Sequence, residues 1–205
     1  MSVTRDNEQK TSTVASRLVH LALDARASLG DVLDVGCGTG TVLAAARGRA
    51  STLSGVDVRP DLLDEARTHV PDARVAIASV DGERMTFADA SFDTIFFCDV
   101  IEHLHSPYAA LCEIARTLRP DGRLIVTTPN AASLVRKILR ERWFGLQDPS
   151  HLYFFDAFTL GHLIAQSGFR IEASLTRGFT GNLTTDAALQ ALGSGGTLVI
   201  VARRT

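Results

Sequence analysis

Apolar residues along this chain follow two different spacings, one typical of buried strands and one typical of helices. Short, nearly continuous apolar runs predict strands at residues 32–35, 53–58, 74–80, 92–100, 123–128, 169–175 and 197–202. Apolar residues spaced three and four apart predict intervening helices at about 41–47, 60–69, 107–118 and 156–166. The same spacing predicts a helical segment within residues 1–28, with its apolar face formed by Val14, Leu18, Leu21, Ala22 and Ala25.

Strands that alternate with helices predict a mostly parallel sheet covered on both faces. Pro60 and Pro107 suit the first turn of a helix, and Gly168 suits a helix end. The residues Pro120-Asp121-Gly122 predict a turn between a helix and a strand. Residues 1–205 contain no evident repeat or linker, so we expect a single α/β domain with a doubly wound, Rossmann-like, seven-stranded sheet.

Composition narrows the classes of function. The 205 residues carry a formal net charge of -2, which offers no basic footprint for nucleic acid and makes such a partner unlikely. No apolar run approaches the roughly 20 residues that a membrane span requires. The start of the chain lacks a signal-peptide pattern, and Cys37, Cys98 and Cys112 have no paired spacing. These features predict a cytoplasmic protein with reduced thiols.

A glycine-rich loop follows the first predicted strand. Gly36, Gly38 and Gly40 permit positive φ angles and allow close approach of a ligand to the backbone. The alternative is a tight turn that binds nothing. Asp57 ends the second predicted strand, where a carboxylate can accept hydrogen bonds from ribose hydroxyls, or cap the next helix. The two features together favour a nucleoside-containing cofactor.

A nicotinamide cofactor is the competing interpretation. Its fingerprint is G-x-G-x-x-G, in which the third glycine packs the helix against the strand. Here the spacing is Gly36-x-Gly38-x-Gly40, Asp34 precedes it, and Thr41 occupies the dehydrogenase glycine position. The pattern therefore disfavours a dehydrogenase.

Five segments in order resemble class I S-adenosylmethionine-dependent methyltransferases. They are residues 34–40, Asp57, residues 80–87, residues 92–95 and residues 118–124, and the resemblance covers about residues 29–169 plus the closing strand. It implies S-adenosyl-L-methionine as cofactor and a C-terminal antiparallel hairpin. It also implies a set of cofactor-binding residues: Asp34, Gly36, Cys37, Gly38, Gly40, Asp57, Val58, Asp81, Gly82 and Asp99.

The segment Asp99-Val100-Ile101-Glu102-His103-Leu104 follows the fourth strand and resembles a segment of quinone-biosynthesis O-methyltransferases. The resemblance implies methyl transfer to a small molecule, with a hydroxyl as the expected acceptor. Histidine titrates near neutral pH, so His103 is the candidate general base, with Glu102 and His151 as further catalytic candidates. The alternative is that His103 only forms a hydrogen bond with the backbone.

A divalent metal ion is an alternative that the sequence does not favour. Asp99, Glu102 and His103 have the i, i+3, i+4 spacing that shares one helix face, and His151 is a candidate fourth ligand. Related quinone and small-RNA methyltransferases use a similar acidic and histidine set. The simpler interpretation is a hydrogen-bonded rim without metal, and the metal ligands remain undetermined.

Residues 131–150 are longer than a usual connection and predict a substrate lid. Trp143 and Phe144 are expected to cover an apolar acceptor, while the basic residues of this segment form a solvated face; they are Arg136, Lys137, Arg140 and Arg142. Residues 179–192 are a second candidate cover. Two other functions stay open, namely methylation of RNA or protein and cofactor binding without catalysis. The acceptor and the oligomeric state are undetermined.

Overall fold

A computed structural model describes Ser16, Leu18–His20, residues 28–177 and residues 194–205. Its strands are β1 (Gly30–Val35), β2 (Ala50–Asp57), β3 (Arg74–Ile77), β4 (Phe92–Cys98), β5 (Leu118–Pro129), β6 (Phe169–Arg177) and β7 (Thr197–Arg204). Its helices are α1 (Thr41–Ala46), α2 (Pro60–His69), α3 (Pro107–Thr117), α4 (Leu134–Leu139), α5 (Phe144–Gln147) and α6 (Ala157–Gln166). Two 3₁₀ turns cover Ile101–His103 and Arg140–Arg142. The predicted cover at 179–192 and most of the predicted helical segment within 1–28 lie outside the described residues.

The strands form one seven-stranded sheet in the order β3-β2-β1-β4-β5-β7-β6. β1 pairs in parallel with both β2 and β4, whereas β7 runs antiparallel to β5 and β6. The predicted doubly wound sheet with its C-terminal hairpin is therefore confirmed. Strand order reverses between β1 and β4, which opens a crevice at the carboxyl ends of those strands.

Both faces of the central strands are buried, as their unbroken apolar runs predict. Leu33 and Phe97 belong to one core, which is completed by residues of α3 and α6. Val32 and Phe96 belong to the other core, which is completed by residues of α1 and α2. Neighbouring side chains on a strand point to opposite faces, so each adjacent pair contributes one residue to each core.

The predicted turn at residues 120–122 lies within β5 instead of before it. The register between β4 and β5 shifts between Phe92 and Thr94, which pair with Leu118 and Arg123. Asp121 has a φ of +59°, a left-handed conformation that accommodates the additional residues. The sequence thus predicted the turn at residues 120–122. That these residues belong to β5 depends on the pairing of β5 with β4.

The predicted lid region folds into short helical pieces. The Ser133 hydroxyl accepts a hydrogen bond from the Arg136 amide and so caps α4. Trp143 is completely buried, whereas Phe144 is 40% exposed. Direct cover of an acceptor by Trp143 is therefore the wrong expectation, because its ring lies beneath the segment. Among the described residues, no helix combines the length and apolar character needed to cross a membrane.

Phe96 tests the two-faced core. Its ring is fully buried in β4, so Phe96→Ala is expected to lower the free energy of unfolding by about 3–5 kcal/mol through lost burial and a residual cavity. Urea unfolding followed by circular dichroism measures this. Phe158→Ala is the control, because that ring is 81% exposed on α6 and should change stability by less than about 0.5 kcal/mol. Equal effects of the two substitutions would contradict the assigned core.

Candidate functional site

The glycine loop is held at the carboxyl end of β2. The amides of Gly36 and Cys37 donate hydrogen bonds to the Val56 carbonyl oxygen at 2.8 and 3.0 Å. The Gly38 amide donates to an Asp57 carboxylate oxygen at 2.9 Å. Gly36 and Gly38 have φ angles of +77° and +49°, which glycine adopts without steric cost. The loop is thus bonded to the second strand, where the sequence predicts a ribose site.

Two glycines of the loop leave room for different neighbours. A Cβ on Gly38 would meet no atom within 4 Å, so its surface is open to a ligand. A Cβ on Gly36 would lie 2.2 Å from Cγ2 of Val100, which follows β4. Gly36 is therefore required for the close approach of the turn after β4, and Gly38 gives open backbone beside the crevice.

Buried acidic groups define the electrostatics of the loop. Burial, together with the charge of Asp57, raises the pKa of Asp34 to about 7. Burial and the nearby carboxylates raise the pKa of the Cys37 thiol to about 12, so the thiol stays neutral and contributes no nucleophile. A ligand that carries positive charge would favour ionised Asp34.

The remaining predicted cofactor residues lie on the same side of the sheet. Val58 follows Asp57 and is 63% exposed, an apolar surface beside the loop. Asp81 accepts hydrogen bonds from the amides of His105 and Ser106 at 3.0 and 2.7 Å, which ties residues 79–82 to the start of α3. Gly82 follows with a φ of +78°.

The turn after β4 carries a strained residue and a buried carboxyl group. Asp99 has a φ of +53° and is exposed, and the surrounding protein still desolvates its carboxylate enough to raise the pKa. Glu102 lies in the 3₁₀ turn and is 1% exposed; burial, and then the charge of Asp99, raises its pKa to about 8. Neither Glu102 oxygen has a hydrogen-bond partner of ordinary geometry among the described residues, although the Thr128 hydroxyl is close enough to lower the pKa slightly.

The structure brings the two predicted catalytic histidines together across 48 positions of sequence. The imidazole rings of His103 and His151 have centroids 4.6 Å apart. Nδ1 of His151 lies 2.8 Å from the Gly145 carbonyl oxygen. A carbonyl oxygen can only accept, so this contact requires a proton on Nδ1 and, in the neutral ring, leaves Nε2 with a free lone pair.

His103 has the same proton arrangement for a different reason. Its Nδ1 lies 2.9 Å from the Ser150 hydroxyl, which in turn donates to the Asp148 carboxylate at 2.5 Å. Because Ser150 gives its proton to Asp148, it accepts from His103 Nδ1. Both neutral imidazoles therefore present Nε2 as base or ligand. Sequence reasoning missed Gly145, Asp148 and Ser150, since no local pattern marks them as partners of these rings.

A metal ion fits this cluster by its donor set. Glu102, His103 and His151 each place one possible ligand atom within 4.8 Å of the others. Asp99 is not part of that set. Histidine ligands of metals donate their second ring N–H to a protein oxygen, as both rings do here. The helical spacing expected for Asp99, Glu102 and His103 is wrong, because only a three-residue 3₁₀ turn, Ile101–His103, forms after β4.

Comparison with known proteins identifies the family. A methyltransferase domain model matches residues 7–174, and the chain belongs to that family. This is the family of class I S-adenosylmethionine-dependent methyltransferases, as the sequence resemblance implied. S-adenosyl-L-methionine is its cofactor, and the open surface at Gly38, the exposed Val58 and the buried Asp34 fit that cation. The contacts of individual residues with the cofactor stay predictions.

Curated relatives agree on the class, and a solved structure shares the fold. The chain is 30% identical over 145 residues to a malonyl-[acyl-carrier protein] O-methyltransferase of Hahella chejuensis, covering 69% of this chain and 51% of that protein. It is 33% identical over 116 residues to a ubiquinone biosynthesis O-methyltransferase of Thiobacillus denitrificans, covering 53% and 49%. The chain thus spans about half the length of these curated relatives. A chain in the Haloferax volcanii complex of the Trm112 methyltransferase activator superposes with a TM-score of 0.74 at 18% identity, covering 97% of this chain and 94% of that one, which shows the shared fold.

The pKa of Asp34 predicts a pH dependence of cofactor binding. Asp34 is largely protonated below about pH 7 in the cofactor-free protein, and a bound cation favours its ionised form. Affinity should therefore rise by roughly eightfold between about pH 6 and pH 7.5. Calorimetry with S-adenosylmethionine measures it, and Asp34→Asn should bind more weakly and flatten the profile. A profile of equal slope in both proteins would assign the effect to another group.

Proposed function

We propose that the protein transfers a methyl group from S-adenosylmethionine to an oxygen atom of a small molecule, most simply a hydroxyl group. The observation that carries the proposal is the cluster of Glu102, His103 and His151 at the carboxyl end of β4, beside the glycine loop. An oxygen nucleophile must lose a proton to become reactive, and this cluster holds two imidazoles with free lone pairs. The names of the two relatives, both O-methyltransferases, are in keeping with it.

The glycine loop and its neighbours would hold the cofactor, which when bound supplies an activated methyl group on a positively charged sulfur. Asp57 would accept hydrogen bonds from the ribose hydroxyls of the cofactor. Val58 would offer its exposed apolar side chain to the adenine ring. Asp34 would stabilise the positive charge from a buried position, and Asp99 would do so from an exposed one. Asp81 and Gly82, in the loop after β3, would lie beside the adenine ring of the cofactor.

His103 would act as the general base through Nε2. When that nitrogen takes the acceptor's proton, the imidazole becomes positively charged, and its Nδ1–H is already bonded through Ser150 to Asp148. These two hydrogen bonds would stabilise the positive charge and fix the orientation of the His103 ring, as a carboxylate does for other catalytic histidines. Glu102, whose pKa is raised to about 8, would be protonated near neutral pH and donate a hydrogen bond to the acceptor oxygen, and Nε2 of His151 would accept a hydrogen bond from another polar group of the acceptor. Phe144 and Phe154, 40% and 47% exposed, offer apolar surface nearby.

His103→Gln tests the base. The substitution removes the proton acceptor, so kcat for the acceptor should fall by about 10²–10⁴-fold while cofactor affinity stays within about twofold. Steady-state kinetics and calorimetry measure the two quantities. His162→Gln on α6 is the matched control and should leave kcat unchanged. Unaltered turnover in His103→Gln would remove His103 from the mechanism.

A divalent metal ion at Glu102, His103 and His151 is the second candidate arrangement, favoured by the unsatisfied Glu102 oxygens. Such an ion would bind and polarise the acceptor oxygen. Elemental analysis of protein purified without chelator, and activity before and after chelation, test it. Bound metal lost in His151→Ala supports the arrangement, whereas metal-free protein with chelator-resistant activity rejects it.

Acceptor class is tested by product analysis. Protein incubated with methyl-labelled cofactor and a metabolite extract should yield a labelled small molecule with its label on oxygen, identified by mass spectrometry. Label found only in RNA or protein would favour the macromolecular alternative. Cofactor binding without any labelled product would favour a binding module. The net charge of -2 disfavours a nucleic-acid acceptor, because the sequence has no excess of basic residues to bind phosphates.

A further inference from the structure

A buried tryptophan lies against a glycine that bonds to a catalytic candidate. A Cβ on Gly145 would be 2.3, 2.4 and 2.7 Å from Cη2, Cζ3 and Cζ2 of Trp143, distances that real Cβ atoms do not reach. The φ of Gly145 lies outside the left-handed region, so glycine is required for space and not for conformation. The indole ring therefore packs directly on the Gly145 backbone.

The Gly145 backbone in turn determines the state of His151. Its carbonyl oxygen accepts the Nδ1–H of His151 at 2.8 Å, and the ring is close to full burial on this side of the cluster. Neutral histidine has two tautomers, and the one present is set by the hydrogen bond that one nitrogen makes. Here the bond keeps the proton on Nδ1 and leaves Nε2 of the neutral ring without a proton, 3.8 Å from an Asp148 carboxylate oxygen.

Trp143 itself is well fixed. The Trp143 amide donates to the Arg140 carbonyl oxygen at 3.2 Å, and the Trp143 carbonyl oxygen accepts from the Leu146 amide at 2.9 Å. The indole packs near Phe144 and Phe154, with ring centroids at 5.3 and 6.3 Å. Phe154 lies three residues beyond His151, so the indole braces chain on both sides of the histidine.

We infer that Trp143 and Gly145 are positioning residues for His151. The indole ring sets the Gly145 peptide, and the carbonyl oxygen of that peptide holds His151 as the Nδ1–H tautomer with Nε2 available to the cluster. The effect of Trp143 and Gly145 on the His151 tautomer does not depend on which reaction the protein catalyses. Its catalytic consequence rests on the proposed function, in which His151 Nε2 helps to hold the acceptor.

Gly145→Ala is the first test. The added Cβ must displace the indole or the peptide, so neutral His151 should shift toward the Nε2–H tautomer, and kcat should fall by roughly 10–100-fold through misplacement of the ring. Imidazole ¹⁵N NMR above the titration range, with the His151 signals assigned from His151→Gln, reads the tautomer directly. Gly161→Ala on α6 is the matched control, because its Cβ would meet only the flexible end of Ile171 at 3.1 Å.

Trp143→Phe supplies the complementary change. The three ring atoms nearest Gly145 belong to the outer part of the indole, which phenylalanine lacks, and the lost Nε1–H has no partner among the described residues. Trp143→Phe alone should loosen the peptide and give a mixture of tautomers. The double variant should restore the Nδ1–H form and most of kcat, since the alanine methyl group occupies the vacated space.

The tautomer of His151 tests the positioning role of Trp143 and Gly145, and kcat tests the catalytic role of His151. A wild-type His151 that carries its proton on Nε2, or a tautomer that is unchanged in both folded single variants, overturns the positioning role. If Gly145→Ala fails to fold, Trp143→Phe decides by the same NMR measurement. A tautomer that shifts as expected while kcat stays at the wild-type value supports the positioning role and rejects the catalytic role of His151.

Discussion

Parallel pairing of β1 with β4, next to the pairing of β1 with β2, is the constraint on which the rest of this structure depends. It places the carboxyl ends of three strands side by side, where their following loops must share one crevice. This arrangement brings Gly36 against the side chain of Val100. A Cβ at position 36 would lie 2.2 Å from Cγ2 of Val100, so glycine leaves the room that the valine needs. The glycine loop and the turn that carries Glu102 and His103 are therefore packed against each other.

The cluster of Glu102, His103 and His151 depends on a second junction, between the turn after β4 and the segment that follows α5. The Glu102 carbonyl oxygen accepts hydrogen bonds from the amides of Leu152 and Tyr153 at 2.8 and 3.2 Å. These bonds bring the segment carrying Gly145, Ser150 and His151 alongside the turn. The region predicted as a lid is thus also a source of hydrogen-bond partners, which orient both imidazoles from behind.

Buried carboxyl groups give the crevice its chemical character. Asp34 and Glu102 are buried and have raised pKa values, chiefly because burial disfavours the charged form; the pKa of the exposed Asp99 is raised by desolvation as well. Such groups lower stability as the pH rises, since the folded state retains protons that the unfolded chain would release. The two cores on either face of the sheet offset that cost. A cationic cofactor would reverse it locally, so ionisation of the crevice is expected to follow cofactor occupancy.

The sequence by itself determined the sheet class, the glycine loop and the side of the sheet on which the site lies. These features are local, because apolar spacing and glycine placement act over a few neighbouring residues. The loop alone did not separate a methyl donor from a nicotinamide; Asp34, Thr41, Asp57 and the later matching segments did so together. Only the tertiary structure decided that Trp143 is buried, that Asp99 lies outside the ligand cluster and that both histidines carry their protons on Nδ1. The Nδ1 proton of His103 depends on Ser150, 47 positions away, and that of His151 depends on a loop that folds back to Gly145, six positions away. No spacing of apolar residues or glycines encodes either contact.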